Sequence, residues 1–347
     1  MNSRIRVAIM GAGRIAELHL HGYRLLASKV DIPALVDVQL DIAQQKADRW
    51  QIPKAFRSLD ELFSQEQIDA VDICLPHNIH VDAVQQAAAN GKHIFIEKPL
   101  ARTLVEADTI LSAAREAKIK LMVAHNHIFN ELIEKVQKCI VAGLIGSVHL
   151  IKAHSLSWFL FTPNDFRKSL EQNGGGAFID TGAHFVYVLQ HLFGAVVEVT
   201  AMFGQSARGE KEGEETGIVL LHFAEGCIAE ITISYSTRLP GWEIGFPSGW
   251  DQTVYLLGDK GAIRISLAQE KFWIYSKDVP LNGELQGWTL VQMPGSYARS
   301  YDREVASFVE VLTNGGQPKV SGEDARRTLE VIESAHRSAQ TRSSIAI

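Results

Sequence analysis

The stretch GGGAFIDTGAH, residues 174–184, sets an acid and an imidazole four positions apart behind three glycines. Four residues make about one helical turn, so Asp180 and His184 project from the same face of a helix that carries them. The pair suits proton handling: an imidazole titrates near neutral pH and a carboxylate can hold the ring or a substrate hydroxyl. Lys98 is a second candidate, in FIEKPLA where an apolar run ends, with Pro99 stiffening the exit. An ammonium there can stabilise charge developing on a reacting oxygen.

A third group suits phosphate. Gly11-Ala12-Gly13-Arg14-Ile15-Ala16 reads G-x-G-x-x-A. In that pattern Gly11 permits a tight turn, Gly13 lets backbone approach a pyrophosphate, and Ala16 lets helix pack on strand. The turn follows the apolar run IRVAIM and opens a helical pattern, and Asp37 closes the next run, IPALVD. An acid there accepts the adenosine ribose hydroxyls and repels a 2′-phosphate. No arginine follows in Val38-Gln39-Leu40, so NAD is the expected cofactor, with NADP possible.

These residues need a scaffold. Short apolar runs (AVDICLP, KHIFIEKP, KLMVAH) alternate with amphipathic segments such as HVDAVQQAAANG and LVEADTILSAAREAK. Strand–helix alternation of this kind predicts a doubly wound α/β Rossmann domain, a parallel sheet covered on both faces. Lys98 then lies at the carboxyl end of a strand, where open α/β sheets bind ligands. After about residue 125 the pattern changes. SVHLIKAHSLSWF, VVEVTAMFG, TGIVLLHFAEGCIAEITISYSTR and QTVYLLGDKGAIRIS read as alternating strands, with AEG and GDKG as hairpin turns. The expectation is a C-terminal α+β domain with a large, mostly antiparallel open sheet and helices on one face. The boundaries read 1–125 for the nucleotide-binding domain and 126–347 for the substrate-binding and oligomerisation domain. An uncovered sheet face predicts a homodimer or homotetramer built through it.

Bulk properties narrow the function. The chain has 347 residues, 46% of them apolar and 21% charged, with a formal charge of −6. That balance argues against a nucleic-acid partner, which wants a basic face. No run approaches a membrane span, and the apolar run at the N-terminus is too short for a signal peptide. Cys74, Cys139 and Cys227 are widely spaced and odd in number, so neither a disulfide framework nor a thiolate metal clip is expected. A cytoplasmic protein with no membrane partner is the reading. His125, His127 and His154 could suggest a metal, with His125 and His127 on one side of a strand, but no carboxylate or thiolate stands at ligand spacing. No metal is expected.

The chain resembles the Gfo/Idh/MocA family, the oxidoreductases related to glucose–fructose oxidoreductase and inositol dehydrogenase. The resemblance spans nearly the whole sequence: GAGRIA at 11–16, LPHNIH at 75–80, GKHIFIEKPLA at 91–101, GGGAFIDTGAHFVYVLQHLFG at 174–194, and the last two helical segments. It implies that Lys98, Asp180 and His184 form the catalytic group. It also implies that Pro76, His77, His80 and Glu97 line the nicotinamide ribose beside the Gly11–Ile15 turn. The family often reads Asn-Arg-Arg-Phe after the fifth strand, whereas this chain has HNHIF, with Ile128 where the second arginine commonly falls. That departure counts against the family's substrate contacts here, but Asn126 and His127 are kept as candidate substrate contacts, and Trp158 and Arg167 could line a sugar.

The function implied is NAD(P)-dependent hydride transfer to or from a CH–OH carbon of a sugar, cyclitol or related polyol. His184 would act as general base, Lys98 would steady the alkoxide, and Asp180 would fix a hydroxyl or the imidazole. The glycines 174–176 are expected to leave space for the substrate. Two other functions remain open: a redox-assisted lyase or glycosidase with tightly bound NAD, and a non-catalytic regulator that binds dinucleotide or sugar.

Overall fold

In a computed structural model the residues described are 4–205, 209, 211–237, 250–277 and 287–347. The chain divides into two compact units, Met1–Asn126 with Ala298–Arg327, and His127–Tyr297 with Thr328–Ile347.

The first unit alternates strand and helix: β1 (Ile5–Met10), α1 (Arg14–Leu25), β2 (Val30–Asp31), β3 (Ala34–Val36), α2 (Leu40–Trp50), β4 (Lys54–Phe56), α3 (Leu59–Gln65), β5 (Ala70–Ile73), α4 (His80–Ala89), β6 (His93–Glu97), α5 (Leu104–Glu116) and β7 (Leu121–Ala124). The strands run parallel in the order β4-β3-β1-β5-β6-β7, with β2 added to β1. Strands β3, β5 and β7 are buried throughout, as their unbroken apolar runs require of a sheet covered on both faces. Ser58 and Thr103 cap α3 and α5, each accepting the N–H of a glutamate three residues on, which stops the strand-exit loops sharply. The order reverses at β1 and β5, so the exits of those strands, at Gly11 and Cys74, form the crevice where such sheets take ligands.

The second unit holds α6 (Glu131–Val141), β8 (Val148–Leu156), α7 (Leu170–Asn173), α8 (Ala183–Phe193), β9 (Val196–Gln205), β10 (Glu214–Phe223), β11 (Ile228–Ser234), β12 (Asp251–Gly258), β13 (Gly261–Ser266), β14 (Lys271–Ser276), β15 (Thr289–Gln292) and, at the C-terminus, β16 (Ile345–Ala346). Its nine strands run in the order β15-β14-β13-β12-β8-β11-β10-β9-β16. Every neighbouring pair is antiparallel except β8 with β11. Alternation decides the faces: along β10, Val219, Leu221 and Phe223 are buried while Ile218 and Leu220 are exposed. The expected turns are present. Gly226 takes φ +90° between β10 and β11, and Asp259, between β12 and β13, accepts the Ser147 N–H at 2.8 Å. Strands β2, β4, β14, β15 and β16 lie beyond those read from sequence.

Two last helices, α9 (Ser296–Asn314) and α10 (Gly322–Thr341), contribute to both units. The stretch Ala298–Arg327 belongs to the first: Phe308 stacks on Phe95 with centroids 5.2 Å apart, and Val123 N–H donates to Val320 O at 3.2 Å. In the second unit, Ser338 of α10 accepts the Ala201 N–H at 3.0 Å, and His336 lies against Phe203. Among the described residues no helix is long and apolar enough to cross a membrane.

Phe308 is fully buried, so Phe308→Ala is expected to cost about 3–5 kcal/mol. Urea unfolding followed by circular dichroism reads this; a loss under about 1 kcal/mol would show that the stretch adds little to the first unit's core.

Candidate active site

In the first unit the glycine turn is a tight fit on one side and open on the other. Gly11 takes φ +102°, and a Cβ on it would lie 2.2 Å from the carbonyl oxygen of Cys74, so only glycine is accommodated. Asp37 braces the turn: Oδ2 accepts the Ala12 N–H at 2.8 Å and Oδ1 the Gln39 N–H at 2.9 Å. Gly13 stands before α1 without a side-chain cap, and a Cβ there would meet nothing within 4 Å. Arg14 and Ile15 follow as the first residues of α1. An uncapped helix start behind an open glycine is a cradle for a pyrophosphate. Sequence reading sought an arginine directly after Asp37; the structure places Arg57 nearby, donating to Val38 O at 3.5 Å.

Other expected residues gather at the β5 and β6 exits. Pro76 precedes a single 3₁₀ turn, His77–Ile79, and His80 opens α4. The buried His80 ring lies 3.1 Å from Leu100 O and 3.0 Å from Leu75 O, tying the two strand exits together. His77 meets it edge-on, centroids 5.8 Å apart. Glu97 ends β6 and is buried, and its Oε2 accepts the main-chain N–H of Lys98 at 3.0 Å. Lys98 is half-buried and joined to Pro99 by a cis peptide. Asn126 is buried and donates to Ser300 Oγ at 3.0 Å.

In the second unit the glycine-rich motif folds in a way its spacing did not disclose. Phe178–Gly182 form a π-helical turn that runs into α8. Such turns recur at functional sites because they re-aim side chains relative to a regular helix. Asp180 sits in the π turn and His184 in the first turn of α8. The three glycines do not leave room for substrate. Gly174 ends α7 at φ +83°. A Cβ on Gly176 would stand 2.0 Å from Glu214 O and 2.3 Å from its carboxylate. The glycines serve close packing: Glu214 enters against them and accepts the Phe178 N–H at 2.9 Å, so Glu214 supplies a cap that Asp180 could otherwise have given. His336 faces Glu214 from the other side at 3.3 Å. Burial opposes both charges, yet the pair outweighs it, lowering the Glu214 pKa and raising that of His336.

Asp180 is thereby left to other partners. Its Oδ2 accepts the Tyr235 hydroxyl at 2.7 Å, and Tyr235 is 2.5 Å from Thr181 Oγ1. Burial and the Asp180 charge push the Tyr235 pKa well up, so the phenol keeps the proton it donates. Arg167 reaches within 4.0 Å of Asp180, pairs through two nitrogens with Asp165, and lies 4.7 Å over the Phe159 ring. Lys211 is buried near the rings of Phe161 and Tyr235. Burial lowers its pKa, with Asp180 pulling the other way. His184 stacks on His127, centroids 4.2 Å apart and planes within 14°, which fixes the plane of its ring. His127 in turn meets Tyr297 edge-on. Trp158 bridges by backbone to Ser236.

The structure thus brings Arg167, Asp180, His184 and His127 into one unit with Tyr235 and Lys211, which sequence reading missed. Lys211 sits in a charged stretch that looks like solvated loop, and Tyr235 follows a strand whose alternation predicts only core. A further expectation is corrected. His125 and His127 do not share a strand face, because β7 ends at Ala124 and a 3₁₀ turn, Asn126–Phe129, follows. His154 has a carboxylate partner after all, Asp251 on the neighbouring strand at 3.0 Å.

Residues 5–125 match the description "Oxidoreductase family, NAD-binding Rossmann fold" and residues 137–347 "Oxidoreductase family, C-terminal alpha/beta domain", the two halves of Gfo/Idh/MocA proteins. The chain belongs to the Gfo/Idh/MocA oxidoreductase family. It is 24% identical to a myo-inositol 2-dehydrogenase of Thermotoga maritima over 99% of this chain and 98% of that one. It is 26% identical to an inositol 2-dehydrogenase of Rhizobium meliloti over 99% of both. A solved levoglucosan dehydrogenase, in complex with NADH and levoglucosan, superposes with a TM-score of 0.89 at 19% identity, covering 99% of this chain and all of that one. The protein is an NAD-binding oxidoreductase, and its cradle at Gly11–Ile15 fits the dinucleotide.

Two outcomes follow from the glycine packing and the buried ion pair. Gly176→Ala has no room against a backbone carbonyl and is expected to destabilise by about 1–3 kcal/mol or more; a neutral effect on chemical unfolding would contradict the close packing. The raised His336 pKa adds stability below the ordinary histidine value that is lost as pH rises through the folded value. The lowered Glu214 pKa adds stability above the ordinary carboxylate value that is lost as pH falls through the folded one. His336→Gln should therefore cost about 1.5–3 kcal/mol near pH 6 and progressively less on the alkaline side. Melting curves across pH for both proteins test this, and a gap that widens with pH would contradict it.

Proposed function

We propose that the protein is a dehydrogenase that moves hydride between NAD and a carbon bearing a hydroxyl on a sugar, cyclitol or related polyol. The observation that carries this reading is the Asp180–Tyr235 bond four residues before a His184 ring held in plane by His127. It is a fixed hydrogen-bonding acid followed in the same helical stretch by an oriented base, in a chain of an NAD-binding family. The inositol and levoglucosan dehydrogenases that the chain resembles support the substrate class.

The nicotinamide, when bound, accepts or returns the hydride. Gly11, Ala12, Gly13, Arg14 and Ile15 would hold the pyrophosphate with main-chain N–H groups, and Asp37 the adenosine ribose. Asp37 also disfavours a 2′-phosphate, so NAD is the preferred cofactor. Pro76, His77, His80, Glu97 and Lys98 would line the nicotinamide ribose. His184 takes the hydroxyl proton in oxidation and returns it in reduction. Lys98 stabilises the developing alkoxide. Asp180, oriented by Tyr235, fixes a neighbouring substrate hydroxyl. Arg167, His127, Trp158 and Asn126 are the candidate substrate contacts.

The assembly in this reading is a homodimer or homotetramer built through the second unit's sheet. That sheet exposes Met202, Ile218, Leu220 and Ile228 on one side, more apolar surface than a lone chain leaves to water without purpose. Free, buried cysteines accord with a reducing, cytoplasmic setting.

A panel of inositols, pyranoses and anhydrosugars, followed by reduced-nicotinamide absorbance, tests the function. At least one is expected to reduce NAD, and His184→Ala to lower its kcat by about 10²–10⁴-fold while dinucleotide binding persists. Wild-type turnover in that variant, with hydride transfer rate-limiting, would remove His184 from its role.

A further inference from the structure

Behind the β5 and β6 exits the first unit buries a cluster of ionisable side chains of which only Glu97 has a part in the function proposed above. His19 of α1 is fully buried. Its Nδ1 lies 2.9 Å from Asp72 Oδ2 and its Nε2 3.4 Å from Glu97 Oε1. Glu304 of α9, also fully buried, stands 3.8 Å from the same Nε2, and neither of its oxygens has a hydrogen-bond partner among the described residues. Cys74 closes the group, its Sγ 3.5 Å from both His19 Nδ1 and Asp72 Oδ1. Phe95 stacks on the imidazole from β6, 5.0 Å away.

The donor set of His19, Asp72 and Cys74 could be taken for a metal site. Its geometry fits hydrogen bonds better. Nitrogen and oxygen ligands of one tetrahedral zinc, each about 2.0–2.1 Å from the ion, stand about 3.3 Å apart, whereas Nδ1 and Oδ2 are at 2.9 Å. Burial pushes the Cys74 thiol up to about 12, with Asp72 adding to the effect, so it keeps its proton.

Charge balance decides the protonation. Three carboxylates around one imidazole cannot all stay ionised in a site without water. Burial raises the Glu304 pKa well above the carboxylate range, and His19 only partly opposes it, so Glu304 is neutral. Burial disfavours charge on His19, but Asp72 and Cys74 together outweigh it and the His19 pKa ends well above the ordinary value. The ring is an imidazolium hydrogen-bonded through Nδ1 to Asp72, while Nε2 meets Glu97 in an ion-pair contact at 3.4 Å without a formed hydrogen bond. Tyr23, from the same helix as His19, is buried beside them and remains a phenol, its pKa raised by burial and by Asp72. Glu97 is the one member with a foot outside: its other oxygen accepts the Lys98 N–H.

We propose that His19 is a positioning residue, an imidazolium clamped between Asp72 and Glu97 that holds the Glu97 carboxylate where it fixes the main chain of Lys98. The role rests on the function assigned to Lys98 above. Glu304 fills the remaining wall as a neutral acid, so the clamp is not pulled toward a second anion. Removing the cation leaves Glu97 buried without a counter-charge. The carboxylate then has no cation to hold it in place, and the Lys98 turn loses its anchor.

Two measurements on the full chain test this. In ¹⁵N-histidine-labelled protein, His19 should show both ring nitrogens protonated well past the pH at which an ordinary imidazole titrates, and Glu97→Gln should shift the Nε2 signal. A ring that titrates near the ordinary value of about 6.5, or an Nε2 signal indifferent to Glu97→Gln, overturns the clamp. In kinetics with the best polyol of the panel, His19→Gln should lower kcat about tenfold or more while the affinity for NAD, by calorimetry, stays within about threefold. His19→Ala should lose more, because glutamine keeps a donor toward Glu97. Folded His19→Gln protein with unchanged kcat, or with kcat and NAD affinity falling together, overturns the positioning role. A wild-type chain that turns over no polyol contradicts the function assigned to Lys98 instead, and the resonance measurement still judges the clamp.

Discussion

The hydrogen bond from the Tyr235 hydroxyl to Asp180 is the contact on which the chemistry proposed for the second unit depends. A buried carboxylate without a donor is costly, and it relieves that cost by taking a proton or by turning away. Tyr235 supplies that donor, because burial keeps its own proton in place while Thr181 satisfies the phenol oxygen. Arg167 adds a positive charge at the edge and is itself held by Asp165 and by the face of Phe159. The acid is thus presented as an acceptor with a fixed direction.

That arrangement is possible because another acid does the structural work. Glu214 lies against the glycine run, takes the Phe178 N–H and pairs with His336. The start of the π turn is secured without drawing on Asp180. Two buried acids, one in the π turn and one at the start of β10, are separated in role by their partners: Glu214 binds backbone and histidine, Asp180 a phenol and, in the proposed function, a substrate hydroxyl. The glycines belong to the structural half of this division. Gly176 has room only for hydrogen where Glu214 approaches.

Much of this was legible in the sequence. The G-x-G-x-x-A turn and Asp37 were readable because each residue type answers a local steric or electrostatic demand, and they meet in the Ala12–Asp37 bond. The alternation that predicts an antiparallel sheet was readable for β8 to β13, where inward and outward positions differ in polarity. What could not be read was set by distant packing. The π turn has the same spacing as an α-helix to within a fraction of a residue. Tyr235, Lys211 and Glu214 join the site from segments more than thirty positions away in the chain. The return of Ala298–Arg327 to the first unit likewise has no local signature, since an amphipathic helix does not name the surface it covers. His125 and His127 looked like strand residues because nothing in HNHIF marks where β7 stops.

Tyr235→Phe tests the central claim most directly, since it removes one oxygen and leaves the ring. A folded variant whose kcat/KM on the preferred polyol falls about ten- to a hundredfold, the worth of a hydrogen bond to a charged group, with its NAD affinity unchanged, is the result expected. An equally active Tyr235→Phe protein, with the same melting temperature as the wild type, would contradict the account, because Asp180 would then need no donor to hold its place.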